Sequence, residues 1–134
     1  MLSIFPYLFN YSFFAPTIIR LATGLVFAFD GYQKTFTCKA EWATHFESVG
    51  IKSSQQIILI VGILELVGGL LLLLGIFTQP AALLLAIISL IYIILKIKQP
   101  AALPNKVSFY LLLLAINLSL LLTGPGALAF DWPL

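Results

Sequence analysis

The chain has 134 residues, 61% of them hydrophobic and 9% charged, with a mean hydropathy of +1.10. Those proportions exclude an ordinary soluble domain and place the chain in a bilayer. Its net charge of +2 is spread over loops and helix ends rather than gathered in a run, which argues against nucleic acid as a partner and against a polybasic lipid switch.

At roughly 20 residues per span, the length allows four membrane helices with short connections, and a single membrane domain over residues 1–134 is expected. The stretch Met1 to Phe14 carries Phe5, Tyr7, Phe9, Tyr11, Phe13 and Phe14 but no Lys or Arg. Lacking the basic start and small-residue cleavage site of a signal peptide, it reads as an aromatic anchor kept at the membrane surface. The first span is predicted over about 14–36, opened by Ala15-Pro16, because proline suits the first helical turn. Residues 37–54 place Trp42, Phe46, Val49 and Ile51 at near-helical spacing among Lys39, Glu41, Glu47 and Lys52, the pattern of a short amphipathic helix in the interface.

The second span is predicted over about 55–77, stopping at Thr78-Gln79-Pro80, and the third over about 80–98, ending in Lys96, Lys98, Gln99 and Pro100. The fourth covers about 105–123, from Pro104-Asn105 to Thr123-Gly124-Pro125-Gly126, where glycine suits a left-handed cap. These runs are continuous and Leu-rich, without the alternation of a membrane barrel strand. The predicted fold class is therefore all-α: a polytopic membrane protein, four transmembrane helices in an antiparallel bundle.

Lys34, Lys39 and Lys52 flank the first connection and Lys96, Lys98 and Lys106 the third. The positive-inside rule puts both connections in the cytoplasm and both termini outside. The chain has one cysteine, Cys38, and one histidine, His45, too few for an intramolecular disulfide, a Cys-x-x-Cys relay, a four-ligand zinc site or a bis-His haem. No metal site and no cofactor held by the chain alone are expected, and any electron carrier belongs to a partner.

The chemistry-bearing residues lie at helix spacing. On the first span Arg20, Gly24, Phe27, Gly31 and Lys34 share one stripe, and on the second so do Ile58, Gly62, Glu65, Gly69 and Leu72. Gly68 adds to the glycines that permit close helix approach, and the simplest bundle turns the two stripes toward each other. Glu65 is the first functional candidate, because a carboxylate inside an otherwise uncharged membrane run costs several kcal/mol unless it is paired, hydrogen-bonded or protonated. Asp30 and Lys34 form an i, i+4 pair expected to neutralise itself. A fold-back of residues 124–134 is expected to bring Asp131 to Arg20. Asn117 is expected to hydrogen-bond between helices. Arg20, Lys34, Glu65, Asn117 and Asp131 thus make up the candidate polar cluster.

The pattern Arg20-x-x-x-Gly24-x-x-Phe27-x-x-x-Gly31-x-x-Lys34, then Glu65-x-x-Gly68-Gly69-Leu70-x-Leu72-x-Leu74-Gly75, Thr78-x-Pro80-Ala81, and Gly124-Pro125-Gly126 followed by Asp131 resembles the DoxX family of small four-helix bacterial membrane proteins. The resemblance runs from about Pro16 to Asp131. It implies a four-helix bundle in a bacterial cytoplasmic membrane, tied to quinone-linked sulfur oxidation and to oxidoreductase complexes with soluble redox partners. Arg20, Lys34, Glu65, Gly68, Gly69 and Asp131 match the family pattern, which by itself transfers no reaction.

Two functions stand open on the sequence. One is a membrane subunit of an oxidoreductase complex, holding a quinone, lipid or other amphipathic ligand with Glu65 hydrogen-bonding or exchanging protons with it. The other is a non-enzymatic assembly, chaperone or anchoring subunit. A proton-coupled transporter ranks behind both, since a short bundle without broken helices offers little for alternating access. The expected partners are the lipid bilayer and other protein subunits or further copies of the chain, with the interfacial segment 37–54, where Trp42 and Phe46 lie beside charged residues, as the expected docking surface on the cytoplasmic side.

Overall fold

The computed structural model describes residues 4–48, 50, 52, 54–100 and 105–126. Among these the chain forms α1 (Ala15–Tyr32), α2 (Lys39–Glu47), α3 (Ser54–Leu74), α4 (Thr78–Lys98) and α5 (Val107–Thr123), and no strand. Before α1 lies a 3-10 stretch, Pro6–Phe14, and after it a π-helical turn, Gln33–Thr37. The chain is an all-helical integral membrane protein. Pro6–Thr37, Gln55–Leu74 and Thr78–Lys98 are long and apolar enough to cross a membrane. The 17 residues of α5 reach about 26 Å at ~1.5 Å per residue, near the short end for a span.

The long helices form a ring in which α1 packs on α3, α3 on α4, α4 on α5 and α5 back on α1, so the pairs α1/α3 and α4/α5 are the most extensive contacts. Glycine sets the α1/α3 distance. A Cβ on Gly24 would come within 2.9 Å of the Gly69 carbonyl oxygen, and one on Gly69 within 2.5 Å of the Ala28 nitrogen. A Cβ on Gly31 would strike the Leu66 nitrogen and, at 2.6 Å, the Gly62 carbonyl oxygen. Rising numbers on α1 meet falling numbers on α3, so the pair is antiparallel. Arg20, Gly24, Phe27 and Gly31 are buried on α1 and Lys34 on the π turn that continues it, as are Ile58, Gly62, Glu65, Gly69 and Leu72 on α3.

Three boundaries differ from the sequence reading. Helix α3 ends at Leu74 rather than near 77, because Gly75 takes φ 71° and its N–H and that of Ile76 close back onto Leu71 and Leu72 in a glycine C-cap. Phe77 then adopts φ 49°, a left-handed conformation that turns the chain into α4. Helix α4 starts at Thr78 rather than Pro80, and the proline sits in the first turn, where its missing N–H leaves no bond unmade.

The third difference concerns residues 37–54. The π turn delays the end of the first span, with the Cys38 N–H bonded to the Gln33 carbonyl at 2.6 Å. The nine-residue α2 that follows does not present Trp42 and Phe46 outward: they are 8% and 2% exposed. Trp42, Ala43 and Phe46 form the inner face of α2, packed toward α3 and the π turn, while Ala40, Glu41, Thr44 and Glu47 face outward. Val49 and Ile51 lie outside the described residues.

A substitution at Gly31 tests this geometry against one at Gly68, where a Cβ would meet only the Leu85 side chain at 3.0 Å. Gly31→Ala forces backbone apart and is expected to cost about 1–3 kcal/mol or more. Gly68→Ala should cost under about 1 kcal/mol, since the leucine can shift. Denaturation of the two variants in detergent checks the ordering.

Candidate functional site

The π turn leaves Lys34 on the α1 stripe, facing α3. Its stem passes over Gly62, where a Cβ would stand 2.9 Å from Lys34 Cβ, and one turn further along α3 is Glu65. Lys34 Nζ lies 2.7 Å from Glu65 Oε2, with both side chains 1% exposed. The same ammonium donates to Tyr92 Oη of α4 at 2.6 Å. The lysine therefore bridges a carboxylate and a phenol in a buried cluster drawn from the π turn, α3 and α4.

Aromatic rings complete the enclosure. Lys34 Nζ sits 4.3 Å from the centre of the Trp42 ring of α2 and 4.4 Å from that of Tyr92. Such placements add cation–π attraction, greatest where water is excluded. Behind Tyr92 stands Tyr110 of α5, its ring centre 5.3 Å away and its side chain 2% exposed. The π turn and the helices α2, α3, α4 and α5 thus each send a side chain to this one cluster. Arranged this way, it can fix a charge without water, donate hydrogen bonds from nitrogen and oxygen, and accept them on a carboxylate.

The structure separates the expected polar residues into different places. Lys34 and Glu65 meet, and the local Asp30–Lys34 pair does not form the bridge expected of it: the ammonium goes to Glu65, leaving Asp30 half-buried one turn away on α1. At ~1.5 Å per residue, Arg20 lies roughly 21 Å along α1 from Lys34, buried near the opposite end of the bundle. Asp131, its expected partner, lies outside the described residues. Gly126, the last described residue, lies against the start of α1, where a Cβ on it would meet Pro16 and Thr17 at 2.9 Å. Asn117 is fully buried on α5, but its Nδ2 donates to Leu113 of its own helix at 2.9 Å rather than across the bundle.

Tyr92, Trp42 and Tyr110 were not singled out as site residues from the sequence. Tyr92 did carry a signal: it and Ser89 are the only polar residues between Ala81 and Leu95, and they share the buried stripe of α4 with Leu85. Among the described residues no group of three or more His, Cys, Asp or Glu is placed to hold a metal ion.

Comparison with known proteins adds to this geometry. The DoxX family model matches residues 15–96, which include Lys34, Trp42, Glu65 and Tyr92. A protein of Bacillus subtilis (strain 168) named "Putative oxidoreductase CatD" is 32% identical over 114 residues, covering 85% of this chain and 82% of that protein. No solved structure matches significantly.

The buried pair makes a sharp energetic expectation. Lys34→Met or Glu65→Leu alone strands a charge in a dry interior and should cost about 3–5 kcal/mol. The double variant should recover most of that loss, because an apolar pair replaces an ion pair at little net cost. Additive losses in thermal stability would contradict the pairing.

Proposed function

The chain belongs to the DoxX family, and from that premise we propose that it is the membrane subunit of a quinone-linked oxidoreductase system, holding the polar head of a quinone-type ligand beside Glu65. The observation that carries the reading is the buried Lys34 ammonium shared between Glu65 and Tyr92, at a depth where apolar tails of such ligands run. A quinone head carries carbonyl oxygens that need donors, and its reduction consumes protons as well as electrons. Lys34 and Tyr92 are the donors, and Glu65 is the carboxylate able to hold or pass a proton. The oxidoreductase name of the Bacillus relative supports the class of activity. With a single cysteine and a single histidine, the chain takes its electrons from a partner subunit. Its place in this reading is the bacterial cytoplasmic membrane, with the termini outside and α2 on the cytoplasmic side.

One observation favours a second reading, an anchoring or assembly subunit without a ligand. Lys34 gives two of its three N–H donors to groups of the cluster itself, as a purely structural lock would.

Thermal unfolding of the purified chain with a short-chain quinone separates the two. Saturation at about 100 times Kd stabilises a binding-competent fold by ~2.7 kcal/mol, so a rise of several degrees in Tm is expected. The Lys34→Met/Glu65→Leu double variant, folded but without the polar groups, should show no rise. A wild-type Tm indifferent to quinones would leave the anchoring reading in place.

A further inference from the structure

The enclosure of Lys34 is not uniform. An ammonium has three N–H donors, and two of these go to oxygen: Glu65 Oε2 and Tyr92 Oη. For the third, the described residues offer no oxygen acceptor, only ring faces, that of Trp42 at 4.3 Å and that of Tyr92 at 4.4 Å. Tyr92 is anchored within α4 and backed by Tyr110. Trp42 belongs to α2, which has a different standing in the fold.

Helix α2 is nine residues long, and among the described residues its backbone comes close only to α3 and to the π turn that leads into it, so that it reaches the rest of the bundle through the side chains of Trp42 and Phe46 alone. It has no side-chain N-cap, and Cys38 before it leaves helical geometry at φ −113°, ψ 24°. Past its other end, Gly50 takes φ 82° with open space around it. Trp42, Ala43 and Phe46 are the only residues of α2 that are buried. Tryptophan and phenylalanine are side chains that a membrane interface accepts readily, so lifting this face off the bundle exchanges one apolar contact for another. The four long helices keep their glycine-set packing when α2 moves.

We propose that α2 is the cover of the ligand site and that Trp42 occupies the position a ligand carbonyl oxygen takes on Lys34 Nζ. The inference rests on the quinone-type reading above and deepens it by naming the acceptor position and the side chain displaced. The ligand class follows from the donor: a carbonyl oxygen on a flat amphipathic head, entering from the interface beneath α2, exchanges a ring face for a charge-assisted hydrogen bond. Glu65 and Tyr92 keep their hold on the ammonium throughout. Trp42 in this account is a positioning residue that closes the site when no ligand is present.

The test uses the full chain with Trp132→Phe, labelled with 5-fluorotryptophan so that Trp42 gives the single fluorine resonance, in lipid nanodiscs titrated with a short-chain quinone. The expected result is a saturable shift of that resonance, with a solvent isotope effect absent before titration and a midpoint equal to that of the Tm rise. Trp42→Ala should bind the quinone at least about 5-fold tighter, because nothing has to be displaced. If the Tm rises while the Trp42 resonance stays buried and unmoved, the cover is elsewhere and only the quinone reading survives. Weaker binding by a folded Trp42→Ala would make the ring a ligand contact and overturn the displacement. Absence of both the Tm rise and the resonance shift removes the quinone reading and this inference with it.

Discussion

A lysine and a glutamate buried together inside a bilayer protein constrain everything around them. Neither charge is tolerable alone at that depth, so the 2.7 Å contact between Lys34 and Glu65 obliges α1 and α3 to hold one register. The glycines make that register possible. Gly31 and Gly69 bring the two backbones close enough, and Gly62 clears a path for the lysine stem to cross α3 and reach the carboxylate. Tyr92 then ties α4 to the pair, and Trp42 seats α2 over it.

This hierarchy explains why the two halves of the bundle differ. The α1/α3 pair is a backbone-to-backbone contact with little room for adjustment. The α4/α5 pair is built from larger side chains, including the tilted rings of Tyr92 and Tyr110. The polar cluster lies where the halves join, which is also where a ligand among the helices would meet both. Arg20 lies at the other end of the same α1 stripe, so the stripe carries a buried cation near each end.

Much of this frame was legible in the sequence. Apolar runs of span length and the glycine spacing on two of them give the helices and the faces that meet, because period and bulk act locally. The partner of Lys34 was not legible. Spacing favours Asp30, four residues away, but in a dry interior the choice falls to whichever carboxylate the packing of the long helices brings within reach, and Gly62 opens the way to Glu65. The fate of Trp42 was hidden for a similar reason. An amphipathic segment between spans reads as interfacial until the π turn at Gln33–Thr37 directs it back over the bundle, and no residue in that turn announces a π bond. The end of α3 was masked by apolar residues, Ile76 and Phe77, that continue past a glycine stop.

The account depends most directly on where the Lys34 ammonium resides in a real bilayer. Dipolar recoupling between 15Nζ-lysine and 13Cδ-glutamate in lipid-reconstituted protein measures that contact without perturbing it. A strong Lys34–Glu65 coupling, consistent with the 2.7 Å nitrogen-to-oxygen distance and lost in Glu65→Gln, is the expected result. Coupling of the Lys34 nitrogen to the Asp30 carboxyl carbon in place of Glu65 would contradict the account.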